Sequence, residues 1–195
     1  MKKQMKKLII PCAAALFTIG ASMTAFAAQG WSMEGDNWVY LDSSGNRVTD
    51  SWKKSGNNWF YLDSNGDMAK SSLIENDDNY YYVNSVGAMV ANEWREIPSD
   101  YEEEDSPDTY WYYFQNNGKA YKASSSGKTS FKSIQKANGE WKKYAFDAEG
   151  RMLFGWVGED SERITGDDAW REGVYYCGNP DDGAKVINAW SLQEV

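Results

Sequence analysis

The residues best suited to chemistry in this chain are aromatic side chains that recur every 21 residues in its first half. The face of an aromatic ring attracts cations, so the spacing favours binding over catalysis. A period of this length predicts repeated copies of one small structural unit. Four positions keep the period: Trp31, Trp52, Leu73 and Trp94; Trp38, Trp59 and Tyr80; Tyr40, Tyr61 and Tyr82; Gly45, Gly66 and Gly87.

Catalytic chemistry has little support in the sequence. The chain contains no histidine, the side chain that most often serves as a general base near neutral pH and as a metal ligand. The acidic run 102–105 is interpreted as a solvated loop, because glycoside hydrolysis needs two carboxylates held across a cleft. Residues 63–67 are interpreted as a tight turn rather than a calcium loop. We therefore expect no enzyme activity, no cofactor and no metal.

The aromatic positions must be held by short strands. Each copy has an aromatic and β-branched run, a polar turn ending in glycine and a short second run, which is typical of a β-hairpin. One hairpin is marginal in water, whereas stacked hairpins bury one another's aromatic side chains. We predict an all-β solenoid of stacked hairpins, without helix after residue 28. Its six copies open at Trp31, Trp52, Leu73, Trp94, Phe131 and Gly155.

Two features of the later copies support further predictions. Acidic, turn-rich insertions at 98–108 and 158–168 are predicted to be solvated loops. Cys177 aligns with an apolar residue in every other copy. This alignment predicts a buried thiol that packs as a small hydrophobe, and without histidine it has no partner for nucleophilic catalysis.

Residues 1–28 are predicted to be a helical secretory signal peptide, followed by the repeat array over 29–195. Lysines precede an apolar segment at 8–20 and a small-x-small cleavage site at 25–27. This segment holds four of the 20 Lys and Arg and none of the 29 Asp and Glu, so the mature net charge would be −13. That charge disfavours nucleic acids and anionic membranes. We expect a secreted, surface-associated protein that does not insert into a membrane after cleavage.

One motif, most complete over residues 52–66, has two Trp separated by six residues, then Tyr, Asp and Gly at fixed spacing. It resembles the cell-wall-binding repeats of Gram-positive surface proteins, called choline-binding repeats in their best-known form. The resemblance covers residues 31–190. The mixture of 21-residue and longer copies is also similar to oligosaccharide-binding repeats of clostridial toxins and glucan-binding repeats of streptococcal glucosyltransferases.

The resemblance implies ligand sites between consecutive hairpins, where two Trp of one copy and an aromatic residue of the next surround a quaternary ammonium. Such a cation donates no N–H hydrogen bond, so ring faces are its best partners, at about 0.5–2 kcal/mol each. Later copies depart from this rule, with Leu73, Ala145 and Lys143 at wall positions. Two boxes are complete by the rule: Trp31, Trp38 and Tyr61; Trp52, Trp59 and Tyr82.

The resemblance therefore implies a secreted, non-catalytic protein that binds choline of teichoic acid or a related bacterial cell-wall polymer. The sequence leaves a second hypothesis open, a lectin-like oligosaccharide- or glucan-binding module that uses the same rings as sugar-stacking platforms. Both hypotheses are compatible with a fragment of a larger toxin or wall enzyme. In both, we expect binding to be concentrated between Trp31 and Tyr82.

Overall fold

The computed structural model describes residues 29–99 and 106–186. The predicted signal peptide, the acidic run 102–105 and the end of the array at Trp190 lie outside these residues. The described strands are β1 Gly30–Glu34, β2 Asn37–Leu41, β3 Ser51–Ser55, β4 Asn58–Leu62, β5 Ser72–Asn76, β6 Asn79–Val83, β7 Glu93–Pro98, β8 Thr109–Phe114, β9 Lys132–Gln135, β10 Trp141–Tyr144, β11 Gly155–Val157, β12 Arg163–Ile164, β13 Tyr175–Asn179 and β14 Asp182–Lys185.

The described chain is a series of antiparallel hairpins, which confirms the predicted hairpin repeats. Strands β1 to β10 pair as five successive two-stranded sheets. The sixth copy forms a four-stranded sheet in the order β12-β11-β13-β14. Two-residue turns close the first three hairpins, and in the third Asp77 and Asp78 have φ values of 51° and 56°. Two consecutive positive φ values match the right-handed twist of the paired strands.

The predicted position of the hairpin turn was wrong. The main hairpin of the second copy closes at residues 56–57, and the Asp63–Gly66 turn follows its second strand. After that turn Met68 forms an isolated bridge with Leu62, and Asp67 forms one with Val39 of the preceding hairpin. The Asp63 carboxylate accepts the backbone N–H groups of Asn65 at 2.8 Å and Asp67 at 3.0 Å. This carboxylate is therefore used by the turn, as the turn interpretation predicted.

Backbone hydrogen bonds connect each of the second to fifth hairpins to the one before it. The residue two positions after the turn glycine donates its N–H to a carbonyl of the preceding hairpin. Because the same bond recurs at successive boundaries, the hairpins stack in a constant register. The four bonds are Met68 to Trp38, Met89 to Trp59 and Ala120 to Tyr80, each 2.8 Å, and Met152 to Trp111, 2.7 Å.

The core follows one apolar position of the repeat. Leu62, Val83, Phe114 and Cys177 are completely buried there, and Phe146 is 2% exposed. The predicted burial of Cys177 is thus confirmed, and burial raises the pKa of its thiol to about 11. At that pKa the thiol stays protonated at neutral pH and behaves as an apolar group.

The sixth copy departs from the predictions in two places. Part of the insertion predicted to be a solvated loop forms strand β12, where Ile164 pairs with Trp156 of β11. Ser161 in the same insertion is only 2% exposed. A four-residue helix, α1 Ala169–Glu172, follows, so the expectation of no helix was wrong here. Its buried residue is Ala169, a contact too local to give helical periodicity in the sequence.

Candidate aromatic ligand-binding site

The first-strand tryptophans of the two predicted boxes each contact two other rings. Trp31 meets Tyr40 of its own hairpin and Phe60 of the next, both with ring centroids 5.5 Å apart. Trp52 meets Tyr61 of its own hairpin and Tyr81 of the next, both at 5.1 Å. Each tryptophan therefore spans a boundary between hairpins.

The ring of the next hairpin that contacts each first-strand tryptophan lies one residue earlier in the sequence than the third wall predicted by the resemblance. Tyr61 lies opposite Trp52 in its own hairpin, is 8% exposed and packs in a core cluster with Ile74 and Val83. Successive residues of a strand point to opposite faces, so Phe60 faces the preceding hairpin where Tyr61 does not. The third wall of the first cleft is Phe60.

The second predicted third wall, Tyr82, is also directed elsewhere. Its ring lies 6.2 Å from that of Phe114 and 5.9 Å from the Arg95 guanidinium carbon. Tyr81 takes the wall position beside Trp52. Ligand contact by Trp31, Trp38, Trp52 and Trp59 stays a prediction, as it does for Tyr61 and Tyr82.

The sequence carried a signal for this wall position that the 21-residue rule did not use. The position directly before the repeated tyrosine is aromatic in every described copy except the first, where it is Val39. The same cross-boundary ring contact recurs between Trp94 and Tyr144 at 4.8 Å and between Phe131 and Tyr175 at 5.1 Å. The aromatic residues at this position are Phe60, Tyr81, Tyr112, Tyr144 and Tyr175.

The cleft between the fourth and fifth hairpins contains a cavity of about 280 Å³. Trp94 and Trp111 form two walls, with ring centroids 6.5 Å apart and planes at 78°. Tyr144 forms the third wall, where the sequence rule expected Ala145, and Met152 lines the cavity beside it. The remaining lining residues are Lys136, Asp181 and Asp182. This cleft has three aromatic walls although the sequence rule treated it as incomplete.

Asp182 holds the third wall in place from the sixth copy. Its carboxylate accepts the Tyr144 hydroxyl at 3.3 Å, Lys136 Nζ at 2.8 Å and Lys142 Nζ at 3.4 Å. Burial alone would raise the pKa of Asp182, but the lysine contacts hold it below its ordinary value. Burial and the nearby Asp182 charge raise the pKa of Tyr144 to about 12. The Tyr144 hydroxyl is therefore a donor at neutral pH.

The cleft between the second and third hairpins includes an exposed tryptophan. Trp59 is 42% exposed, so much of its ring is available to a ligand. Lys54 Nζ lies 5.9 Å from its ring centroid, within the range for an attraction between a cation and a ring. The chain's own lysine thus shows that this ring is accessible to a positive group.

Two other kinds of site were considered. Within residues 29–99 and 106–186, no three Asp, Glu or Cys residues are grouped so that they could hold a metal ion. Over the same ranges no helix has the length and apolar character needed to cross a membrane.

Comparison with solved structures returned several bacterial proteins to which this chain is similar. CbpJ from Streptococcus pneumoniae TIGR4 is 24% identical with a TM-score of 0.48, over 83% of this chain and 43% of that chain. The choline-binding domain of Spr1274 from Streptococcus pneumoniae is 26% identical with a TM-score of 0.36, over 48% and 95%. Truncated alternansucrase from Leuconostoc mesenteroides is 20% identical with a TM-score of 0.44, over 64% and 10%. The chain thus spans less than half the length of the first of these.

Comparison of the sequence with protein families identifies two segments. Residues 48–94 match the profile described as a choline-binding repeat, and residues 108–120 match that of a putative cell wall binding repeat. No curated protein matches the chain. The chain therefore carries repeats of the choline-binding, cell-wall-binding family, identified over residues 48–94 and 108–120.

Proposed function

We propose that the chain is a non-catalytic module that binds quaternary ammonium groups, such as the choline of a bacterial cell-wall polymer, in the clefts between its hairpins. The observation that carries this proposal is the cavity with Trp94, Trp111 and Tyr144 as walls. Three ring faces surround a space of about 280 Å³. A trimethylammonium group has no N–H to donate and is attracted by ring faces.

The electrostatics of this cleft also favour a cation. Two acidic residues, Asp181 and Asp182, line the cavity against one lysine, Lys136, and the whole chain carries a net charge of −9. At about 0.5–2 kcal/mol for each ring, three rings supply an affinity on the order of millimolar, which corresponds to about −4 kcal/mol. Weak single sites suit a polymer that displays many copies of its ligand, because linked sites bind with a gain in avidity.

By analogy with this cleft, we propose two further boxes in the first half of the chain. The first consists of Trp31, Trp38 and Phe60, and the second of Trp52, Trp59 and Tyr81. In both, the third wall contacts the first-strand tryptophan in the structure. The third boundary has Leu73 in place of that tryptophan, packed in a cluster with Tyr112, so it offers fewer ring faces to a cation.

The cellular location follows from the repeat family and from the sequence. Cell-wall-binding repeats over residues 48–94 and 108–120 support attachment to a bacterial surface. The predicted signal peptide at 1–28 supports export. We propose a secreted or cell-surface protein whose partner is a wall polymer rather than a nucleic acid.

A tryptophan fluorescence titration distinguishes the two ligand classes. We expect choline chloride at millimolar concentration to change the emission, with sodium chloride at the same ionic strength as the control. Wall glycan fragments and glucan oligosaccharides without choline should leave it unchanged. A response to an oligosaccharide and none to choline would support the lectin-like alternative and refute binding of quaternary ammonium groups.

A further inference from the structure

The boundary between the fifth and sixth hairpins contains a cation that belongs to the chain itself. Lys185 Nζ lies 4.4 Å from the ring centroid of Phe131 and 4.5 Å from that of Tyr175. The two rings are 5.1 Å apart with planes at 82°. Both distances are well within the roughly 6 Å over which a ring face attracts an ammonium group.

The two rings are the counterparts of the walls of the fourth cleft. Phe131 opens the fifth copy as Trp94 opens the fourth, and Tyr175 holds the position that Tyr144 holds one copy earlier. The cross-boundary contact is also alike, at 5.1 Å for the first pair and 4.8 Å for the second. The fifth boundary therefore has two of the three expected aromatic walls.

Lys185 occupies the position of a methionine that lines the fourth cleft. Leu62 bridges to Met68 and Phe146 to Met152, while Cys177, at the same core position, pairs with Lys185. Met152 lines the cavity between the fourth and fifth hairpins. A lysine at this position therefore extends from the base of the cleft and places its ammonium group over the rings.

We propose that Lys185 is an internal ligand that closes the fifth cleft to external cations. This inference rests on the proposed function, because it assumes that the equivalent open clefts take up quaternary ammonium groups. It explains why the exposed Lys143 can stand at the second-strand position that Trp111 holds one copy earlier. A cleft that contains its own cation has no need of the tryptophan that Trp111 supplies one copy earlier. The array therefore combines clefts for a ligand with one closed, stabilising boundary.

Proton NMR of the unliganded protein tests where the ammonium group lies. The ε-methylene protons of Lys185 should be displaced upfield by the two rings, while those of the exposed Lys70, for which no ring contact is found, should lie at an ordinary position. Replacement Lys185→Arg identifies the signal by its loss. An ordinary chemical shift for Lys185 would overturn the proposal, whatever the protein binds.

Calorimetric titration with choline tests whether the lysine closes the cleft. The double variant Lys143→Trp with Lys185→Met supplies the missing counterpart of Trp111 and removes the internal cation, so it should bind one more equivalent of choline than the wild type. The control variant, Lys143→Trp with Lys185 kept, should show the wild-type stoichiometry. An added equivalent in the control, or none in a folded double variant, would refute closure by Lys185.

A failure of the proposal for Lys185 can be distinguished from a failure of the proposed function. A wild-type protein that binds no choline overturns the proposed function, whereas the NMR displacement still decides the position of Lys185. If the double variant does not fold, the NMR result on the wild type still supports or overturns the internal contact.

Discussion

At the scale of single residues, the first-strand tryptophans pack against the core and also line the clefts. Trp94 contacts Tyr113 at 5.2 Å in its own hairpin, and Tyr144 at 4.8 Å and Phe146 at 5.9 Å in the next. Trp111 meets Trp94 at 6.5 Å on the ligand side of the same cleft. The two tryptophans therefore differ in how much of their packing connects successive hairpins.

This difference predicts unequal losses of stability. We expect Trp94→Ala to reduce the free energy of unfolding by about 3–5 kcal/mol, as for a large buried aromatic side chain. The reduction for Trp111→Ala should be smaller. Urea unfolding followed by circular dichroism measures both, with Trp141→Ala, which removes a side chain that is 65% exposed, as the control. Equal losses for Trp94→Ala and Trp141→Ala would contradict the bridging role of Trp94.

Buried tyrosines predict a loss of stability at high pH. Burial and then the charge of Asp182 raise the pKa of Tyr144 from 10.0 to about 12, and burial also raises the pKa of Tyr112. Between these pKa values the unfolded state releases protons that the folded state keeps, so stability is complete below pH 10 and declines from pH 10 to 12. Urea unfolding over this range measures the decline, which Tyr144→Phe should reduce. A flat profile would contradict the burial of these phenols.

At the scale of elements, a turn glycine packs against the preceding copy. Gly118 has φ 81°, and a Cβ added there would lie 2.5 Å from Met89 Sδ. Gly127 has φ 70° with nothing within 4 Å of an added Cβ. Both positions have a positive φ, which favours glycine. Comparing substitutions at the two positions therefore separates the cost of backbone strain from the cost of close approach to Met89.

Substitution by alanine should therefore affect the two glycines differently. We expect Gly127→Ala to cost about 1–2 kcal/mol of unfolding free energy from the left-handed conformation alone. Gly118→Ala should cost up to about 1 kcal/mol more, because the flexible end of the Met89 side chain must move. Thermal or urea unfolding of both variants provides the comparison. Equal costs would show that the hairpins do not approach each other closely at this turn.

The sequence predicted the number and order of the hairpins, but not which faces meet. Trp31 and Trp52, which open the first two copies, lie on the first strands of their hairpins. The 21-residue period was enough to predict this, because it marks where each repeated unit begins. In the second copy two glycine-containing turns, at 56–57 and 63–66, compete to close the hairpin, and only the pairing of Trp52 with Tyr61 decides between them. Strand alternation separates Phe60 from Tyr61 without showing which one faces the preceding hairpin. The residues at the third-wall positions could therefore be identified only from the structure.

At the scale of the whole molecule, the clefts are distributed along a continuous stack. Successive hairpins are separate sheets, joined across their boundaries by ring contacts and by backbone and side-chain hydrogen bonds. Stability in such an array is a sum of repeat and nearest-neighbour contributions. A ligand in one of the proposed clefts would contact two neighbouring hairpins and would therefore strengthen the boundary between them.

Several clefts in one chain predict avidity. We expect a surface carrying dense choline to retain the protein about 10²–10⁴-fold more tightly than free choline binds a single cleft. Surface plasmon resonance on choline-bearing and choline-free surfaces measures the difference, and free choline should release the protein. Retention no stronger than that of one free ligand would contradict simultaneous use of the clefts.

The most direct test of the account is calorimetric titration of choline into the wild type and two single-tryptophan variants. Trp111→Ala removes a wall of the cleft beside Trp94 and Tyr144, whereas Trp141→Ala removes an exposed ring that does not line that cavity. We predict binding by the wild type and by Trp141→Ala with the same stoichiometry, and one equivalent fewer for Trp111→Ala. Equal binding by all three proteins, or none by the wild type, would contradict the assignment of these aromatic clefts as the ligand sites.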